Sequence, residues 1–127
     1  MSIIKTATLS NGVGTKEINV DTLVAGNCKV WVNFNGTGVL AINDSFNVSS
    51  ITDNTTGDYT INFDVDFANA NFVWVGTASD ATRTNYGTEC MAAYSIGVVG
   101  SQRVVHCRAD NLTRDAGYAT FAAFGDQ

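Results

Sequence analysis

Hydrophobic and polar residues alternate along much of the chain, most clearly between Asp58 and Phe67. In this segment the odd-numbered positions carry large hydrophobic residues and the even-numbered positions that follow Asp58 carry Thr, Asn or Asp. Because successive side chains of a strand point to opposite faces, the pattern predicts a strand with one buried face. The residues assigned to that face are Tyr59, Ile61, Phe63, Val65 and Phe67.

A partner strand is predicted immediately upstream, over Phe46–Ile51. The intervening segment, Thr52–Gly57, is rich in Asp, Asn and Thr and ends in Gly. Such residues favour turns, because the polar side chains bond to nearby backbone and glycine accepts a positive φ. The two strands therefore form a predicted hairpin, which needs a second layer to be stable in water.

Short strand-like segments recur at roughly ten-residue intervals through the rest of the chain, separated by turn residues. They are Ile3–Leu9, Lys16–Val24, Cys28–Phe34, Val39–Asn43, Phe72–Thr77, Met91–Val99, Arg103–Ala109 and Tyr118–Phe124. In Cys28–Phe34 the residues on one face are Val30, Val32 and Phe34. The pattern predicts one all-β domain over residues 1–127, an antiparallel β-sandwich of two sheets with about eight or nine short strands. A jelly roll is one form of this architecture.

Charge and composition narrow the classes of partner. Only 15% of residues are charged, against about 25% in average proteins, and Thr, Asn and Ser supply 36 of the 127 positions. A net charge of -5 and a pI near 4.4 argue against nucleic-acid binding and against an anionic membrane surface. No apolar run approaches the ~18 residues of a membrane-spanning helix. The start, Met1–Thr8, lacks the apolar core of a signal peptide, so we expect folding in a cytoplasm.

Residues suited to catalysis are few. The single histidine, His106, lies in an apolar strand and is interpreted as structural. No phosphate-binding loop and no distinctive pair of carboxylates is present, so no enzyme activity and no cofactor are predicted. Cys28, Cys90 and Cys107 are widely spaced and form no Cys-x-x-Cys pair, so we expect reduced, packed thiols.

A group of acidic residues raises one further possibility, a binding site for Ca²⁺. Asp64 and Asp66 share a strand face, with Asp58 and Asp53 nearby in the predicted hairpin. Oxygen-rich clusters of this kind can bind Ca²⁺. The spacing does not match a calcium loop, and solvent-facing acids are common on strands, so no metal site is predicted.

The best candidates for ligand binding are Trp74, Asp80, Arg83 and Tyr86. The last three lie in a long polar insertion, 76–89, and loops on a β scaffold often carry binding residues. Aromatic rings can stack on sugars, while Asp and Arg supply directional hydrogen bonds. A mobile surface loop and a core role for Trp74 remain the alternatives.

Four segments resemble a module of bacteriophage tail-fibre and related virion proteins. They are GTKEINVDTL, KVWVNFNGTG, AINDSFNVSSITDN and GDYTINF, beginning at Gly14, Lys29, Ala41 and Gly57. The resemblance covers about residues 14–72, roughly half of the chain. Its most specific part is Trp-Val-Asn-Phe combined with Ser-Ile-Thr-Asp-Asn and the following Gly-Asp-Tyr.

The resemblance implies a non-enzymatic structural protein of the phage tail, either a short fibre or spike or an adhesin module that contacts the host surface. It also implies a homotrimer, with other virion proteins and a host surface glycan as partners. The location would be the virion, after assembly in the host bacterial cytoplasm. Two alternatives stay open: a capsid decoration or cement protein, and a free-standing carbohydrate-binding module.

Overall fold

Two four-stranded antiparallel sheets face each other across a shared hydrophobic core in the computed structural model, which describes residues 7–10, 12–14, 16–82 and 89–127. The predicted all-β sandwich is therefore confirmed. No helix within the described ranges combines the length and the apolar character needed to cross a membrane.

Each sheet combines strands from distant parts of the chain. The first contains β3 (Val30–Asn35), β4 (Ala41–Phe46), β7 (Val73–Ser79) and β10 (Tyr118–Phe124), in the order β4-β3-β10-β7. The second contains β5 (Val48–Thr55), β6 (Asp58–Phe63), β8 (Glu89–Ala93) and β9 (Ser101–Arg108), in the order β5-β6-β9-β8. Eight strands in two sheets match the strand count of a jelly roll. Here β3–β4, β5–β6 and β8–β9 are hairpins that each stay within one sheet.

The N-terminal segment departs from its predicted form. Strands β1 (Thr8–Ser10) and β2 (Glu17–Asn19) pair, and helix α1 (Val20–Gly26) follows directly. The predicted strand Lys16–Val24 is therefore wrong beyond Asn19. The Asn19 side chain accepts a hydrogen bond from the Asp21 amide at 2.7 Å, which caps the first turn of the helix. Of the predicted strand Ile3–Leu9, residues 3–6 lie outside the described residues.

The core lies between β3 and β10 of one sheet and β6 and β9 of the other. Its buried residues are Val30, Val32, Phe34, Tyr59, Ile61, Phe63, Phe67, Ala78, Val104, Ala116, Ala119, Phe121 and Ala123. The predicted inward face of β3 is confirmed. Tyr59 joins the sheets: its ring meets Phe34 edge-on at 5.1 Å, and its hydroxyl oxygen accepts a hydrogen bond from the Ala116 amide at 3.0 Å. Burial raises the pKa of Tyr59 to about 12.

The prediction for Val65 is wrong, because this side chain is 55% exposed. Strand β6 ends at Phe63, two residues earlier. Asn47, in the left-handed region at φ 57°, accepts a hydrogen bond from the Val65 amide at 2.6 Å through its side-chain oxygen. That bond ties the chain to the β4–β5 corner, so the period-two pattern no longer corresponds to a strand.

The bounds of two further elements differ from the prediction, and those of β10 agree with it. Strand β5 extends to Thr55, so the β5–β6 turn is Thr56–Gly57 and shorter than predicted. Strand β8 ends at Ala93, well before the predicted Val99. The bounds of β10 match the prediction at both ends.

Candidate functional site

A row of apolar side chains crosses the outer face of the first sheet. The strand register places Trp31 opposite both Phe46 and Ala122, and Ala122 opposite Val75. Directly opposed residues on neighbouring strands have Cβ atoms roughly 4.5–5.5 Å apart. The row Phe46–Trp31–Ala122–Val75 is therefore continuous across all four strands.

A polar row runs beside it, two residues further along each strand. Its members are Asp44, Asn33, Thr120 and Thr77. The Thr77 and Thr120 hydroxyl oxygens are 2.9 Å apart and share a hydrogen bond. The Asn33 side-chain oxygen accepts from the Asn43 amide group at 2.9 Å. The side chains of Asn33, Thr77 and Thr120 are thus held by hydrogen bonds to neighbouring side chains.

A groove of about 350 Å³ lies between the two rows, and we call it the Trp31 groove. Its outward-facing lining comes from Trp31, Asn33, Val75, Thr77, Thr120 and Ala122. The groove forms over strand β10, whose outward-facing side chains there, Thr120 and Ala122, are small. The larger side chains of Trp31 and Val75 flank it. Trp31 is 37% exposed, so part of its indole faces the solvent.

Two of the predicted ligand-binding residues, Trp74 and Asp80, do not line this groove. Trp74 lies on the inner face of β7, where its ring stacks on Phe121 with centroids 5.4 Å apart. Asp80 is held locally: its carboxylate accepts from the Thr82 hydroxyl at 2.9 Å, and its amide donates to Glu89 at 2.8 Å. Arg83 and Tyr86 lie outside the described residues.

The sequence held a signal for the groove that the prediction did not use. Trp31 and Asn33 are out of phase with Val30, Val32 and Phe34, so they must face away from the core. A large aromatic residue on the outward face of a central strand indicates an exposed binding surface. What periodicity could not show is which residues of β7 and β10 lie beside it.

The outer face of the second sheet is polar by contrast. Asp58 accepts two hydrogen bonds from Arg103, at 2.8 and 2.6 Å, and a third from Asn54 at 3.1 Å. The Arg103 guanidinium lies 3.9 Å from the centre of the Tyr94 ring. Hydrogen bonds from Arg103 lower the pKa of Asp58 despite burial, and the pKa of Arg103 is raised in turn. Among the described residues, no three acidic, His or Cys side chains gather as a metal ion would require.

His106 is completely buried, in keeping with its structural interpretation. Its Nδ1 lies 2.9 Å from the Arg114 carbonyl oxygen, which can only accept, so Nδ1 carries the proton. The other ring nitrogen, Nε2, faces Glu89 at 3.7 Å and has no hydrogen-bond partner among the described residues. A side chain so enclosed cannot reach a dissolved substrate, so the pair offers no accessible catalytic group.

The chain matches no protein-family model, no curated protein and no solved structure. The resemblance of residues 14–72 to phage tail-fibre modules therefore stays a prediction. The geometry of the two sheet faces is the basis for the functional inference that follows.

Proposed function

We propose that this protein is a structural adhesin module of a phage tail, in a short fibre or spike, and that it contacts a host surface glycan through the Trp31 groove. The observation that carries the glycan assignment is the apolar row at Trp31 lying directly beside the polar row at Asn33 and Thr120. The resemblance of residues 14–72 supports the assignment to the phage tail.

Sugars suit such a surface because a pyranose ring has an apolar face of C–H groups and an edge of hydroxyl groups. The exposed indole of Trp31 offers a flat apolar surface at little entropic cost. The neighbouring amide and hydroxyl groups can donate to and accept from sugar hydroxyls. With strands about 4.8 Å apart, each row spans roughly 14 Å from β4 to β7, enough for a short oligosaccharide.

The proposal can be tested by screening the purified chain against an array of bacterial surface polysaccharides and then measuring affinity by calorimetry. W31A should weaken binding at least tenfold, or about 1.4 kcal/mol, because the stacking surface is lost. A smaller loss is expected for N33A, which removes one hydrogen-bonding group.

The matched control is Y94A, which removes an exposed aromatic ring from the outer face of the other sheet. This variant should bind like the wild type. If W31A also binds like the wild type, the groove is not the site, and if no polysaccharide binds at all, the adhesin assignment fails.

A further inference from the structure

Two cysteines lie directly opposite each other on neighbouring strands of the second sheet. Cys90 on β8 pairs in register with Cys107 on β9, and their Sγ atoms are 2.6 Å apart. Opposed residues of an antiparallel pair have Cα atoms about 4.5–5.5 Å apart. That range falls inside the roughly 4.4–6.8 Å that a disulfide spans. The two strands therefore already hold both thiols at bonding range.

Neither thiol behaves as a core hydrophobe. Cys90 is exposed and Cys107 is only half-buried, whereas unpaired cysteines are among the most buried of all residues. The expectation of packed thiols is thus wrong for Cys90. Cys28 differs, because it lies by the other sheet, where its thiol donates to the Val30 carbonyl oxygen at 3.1 Å.

We propose that Cys90 and Cys107 form an intramolecular disulfide between β8 and β9 when the protein enters an oxidising environment. A small-molecule disulfide such as oxidised glutathione is a sufficient oxidant. The assignment stands on the geometry of the two strands and does not depend on the proposed function.

The chemistry proceeds by two thiol–disulfide exchanges. The exposed Cys90, as thiolate, attacks one sulfur of oxidised glutathione, so that a mixed disulfide forms and one glutathione thiolate leaves. Cys107 then attacks the Cys90 sulfur, the protein disulfide forms and the second glutathione leaves. The two cysteine protons end on the two glutathiones, and the two electrons removed from the protein reduce the oxidant.

The pKa of Cys107 indicates which of the two thiols reacts first. The pKa of Cys107 is raised to about 11, chiefly by its hydrogen bond with Cys90 and further by burial. Little Cys107 thiolate is therefore present at neutral pH, and the accessible Cys90 is the thiol that an oxidant meets first. Cys107 becomes the attacking group only after Cys90 is bound in the mixed disulfide.

The bond would fasten an edge of the sandwich. Among the strands that the structure describes, β8 lies at the edge of the second sheet, with β9 as its one neighbour there. Reducing cytoplasms keep such pairs open, and oxidising surroundings close them. For a virion protein, the change of environment would be the release from the host cell.

The test compares the full chain before and after incubation with oxidised glutathione. Free thiols, counted in denaturant, should fall from three to one, and peptide mapping should join the Cys90 and Cys107 peptides. The melting temperature should rise by several degrees, as expected for a disulfide that closes a loop of this length, and dithiothreitol should reverse the rise.

Cysteine-to-serine variants identify which two residues form the disulfide. C28S should keep the oxidation-dependent rise in melting temperature, whereas C90S and C107S should lose it. The proposal is overturned if all three wild-type thiols stay free, if Cys28 enters the bond, or if the product is a covalent dimer. Thiol counting and peptide mapping on the wild type decide the matter even if a cysteine variant fails to fold.

Discussion

Asp58 is both buried and charged, which is costly unless its partners compensate. Only 3% of this residue is exposed, and its carboxylate accepts hydrogen bonds from Arg103 and Asn54. Those partners favour the charged form, which is why its pKa lies below the ordinary value of 3.8 although burial acts in the opposite direction. The ionisation of Asp58 therefore makes the free energy of unfolding depend on pH.

We expect D58N to lower the free energy of unfolding by about 1.5 kcal/mol at neutral pH, near the low end for charged hydrogen bonds because Arg103 is partly exposed. Because the pKa of Asp58 is lower in the folded state, its charge contributes its full stabilisation at pH values above 3.8, the ordinary pKa. That contribution is lost as the pH falls through the lower pKa of the folded state. The difference between wild type and D58N should accordingly shrink below about pH 4. Urea denaturation at a series of pH values measures it.

The control for this substitution is D64N, which makes the same chemical change at an exposed carboxylate just beyond the same strand. It should alter the free energy of unfolding by less than about 0.5 kcal/mol at neutral pH. A constant difference between wild type and D58N at every pH would contradict the role of the Asp58 charge.

Single residues also show why sequence alone identified none of the groove residues as ligand-binding. Asp58 was grouped with the solvent-facing acids Asp64 and Asp66, but its partner Arg103 is 45 residues away in the chain. Periodicity gives the face on which a side chain lies and cannot give its neighbour across a strand pair. For the same reason the pattern placed Trp31 on a strand without revealing Thr120 and Val75 beside it.

At the scale of elements, the β5–β6 turn docks onto the segment that leads into β10. The Gly57 amide donates to the Asp115 carboxylate at 2.8 Å, and its carbonyl oxygen accepts from the His106 amide at 2.8 Å. Gly57 has φ +69°, and a Cβ there would collide with the backbone of Arg114. This turn therefore requires glycine for both conformation and space.

Comparing G57A with G38A separates the two requirements. Gly38 has a similar φ of +66° but open space around it, so G38A should lower the free energy of unfolding by about 1–2 kcal/mol through conformation alone. G57A should cost about 1–3 kcal/mol more, because the added methyl group overpacks the Arg114 segment. Chemical denaturation of both variants gives the difference, and equal losses would show that the contact with Arg114 yields freely.

Elements were predictable where one local signal dominated. Tyr118–Phe124 was bounded correctly because glycines flank a continuous strand-forming segment. Lys16–Val24 failed because Val, Thr and Ile suggested a strand, whereas the local cap at Asn19 starts a helix at Val20. The pairing of β8 with β9, which brings Cys90 to Cys107, depends on register between strands and had no local signal.

At the scale of the whole molecule, the outer faces of the two sheets differ in polarity. The first sheet exposes Phe46, Trp31 and Val75, while the second carries polar contacts such as those from Asn62 to Ser50 and Thr52. The resemblance of residues 14–72 to phage tail-fibre modules implies a homotrimer, and we propose one in which the Trp31 groove of each copy stays open. Sedimentation analysis at micromolar concentration should therefore give three times the mass of the chain.

The proposed adhesin role would place the protein on the tail of the virion, which immunogold electron microscopy of the parent phage can test. Gold confined to the tail or its fibres is the expected result. Gold spread over the head would favour the decoration-protein alternative. A strictly monomeric protein would contradict the trimer and weaken the fibre assignment.

The central position of β10 has a consequence for the order of events during synthesis. Phe34 on β3 pairs with Ala119 on β10, so the two partners are 85 positions apart in the chain. At about 5–20 residues per second, β10 follows β3 from the ribosome only after roughly 4–17 s. During that interval β4 is the one described neighbour of β3 that has been synthesised, and neither the first sheet nor the Trp31 groove is complete. In a nascent chain, the edge of β3 that later pairs with β10 thus leaves its backbone hydrogen-bonding groups unpaired for seconds. Chaperones or neighbouring nascent copies could bind this edge during that interval.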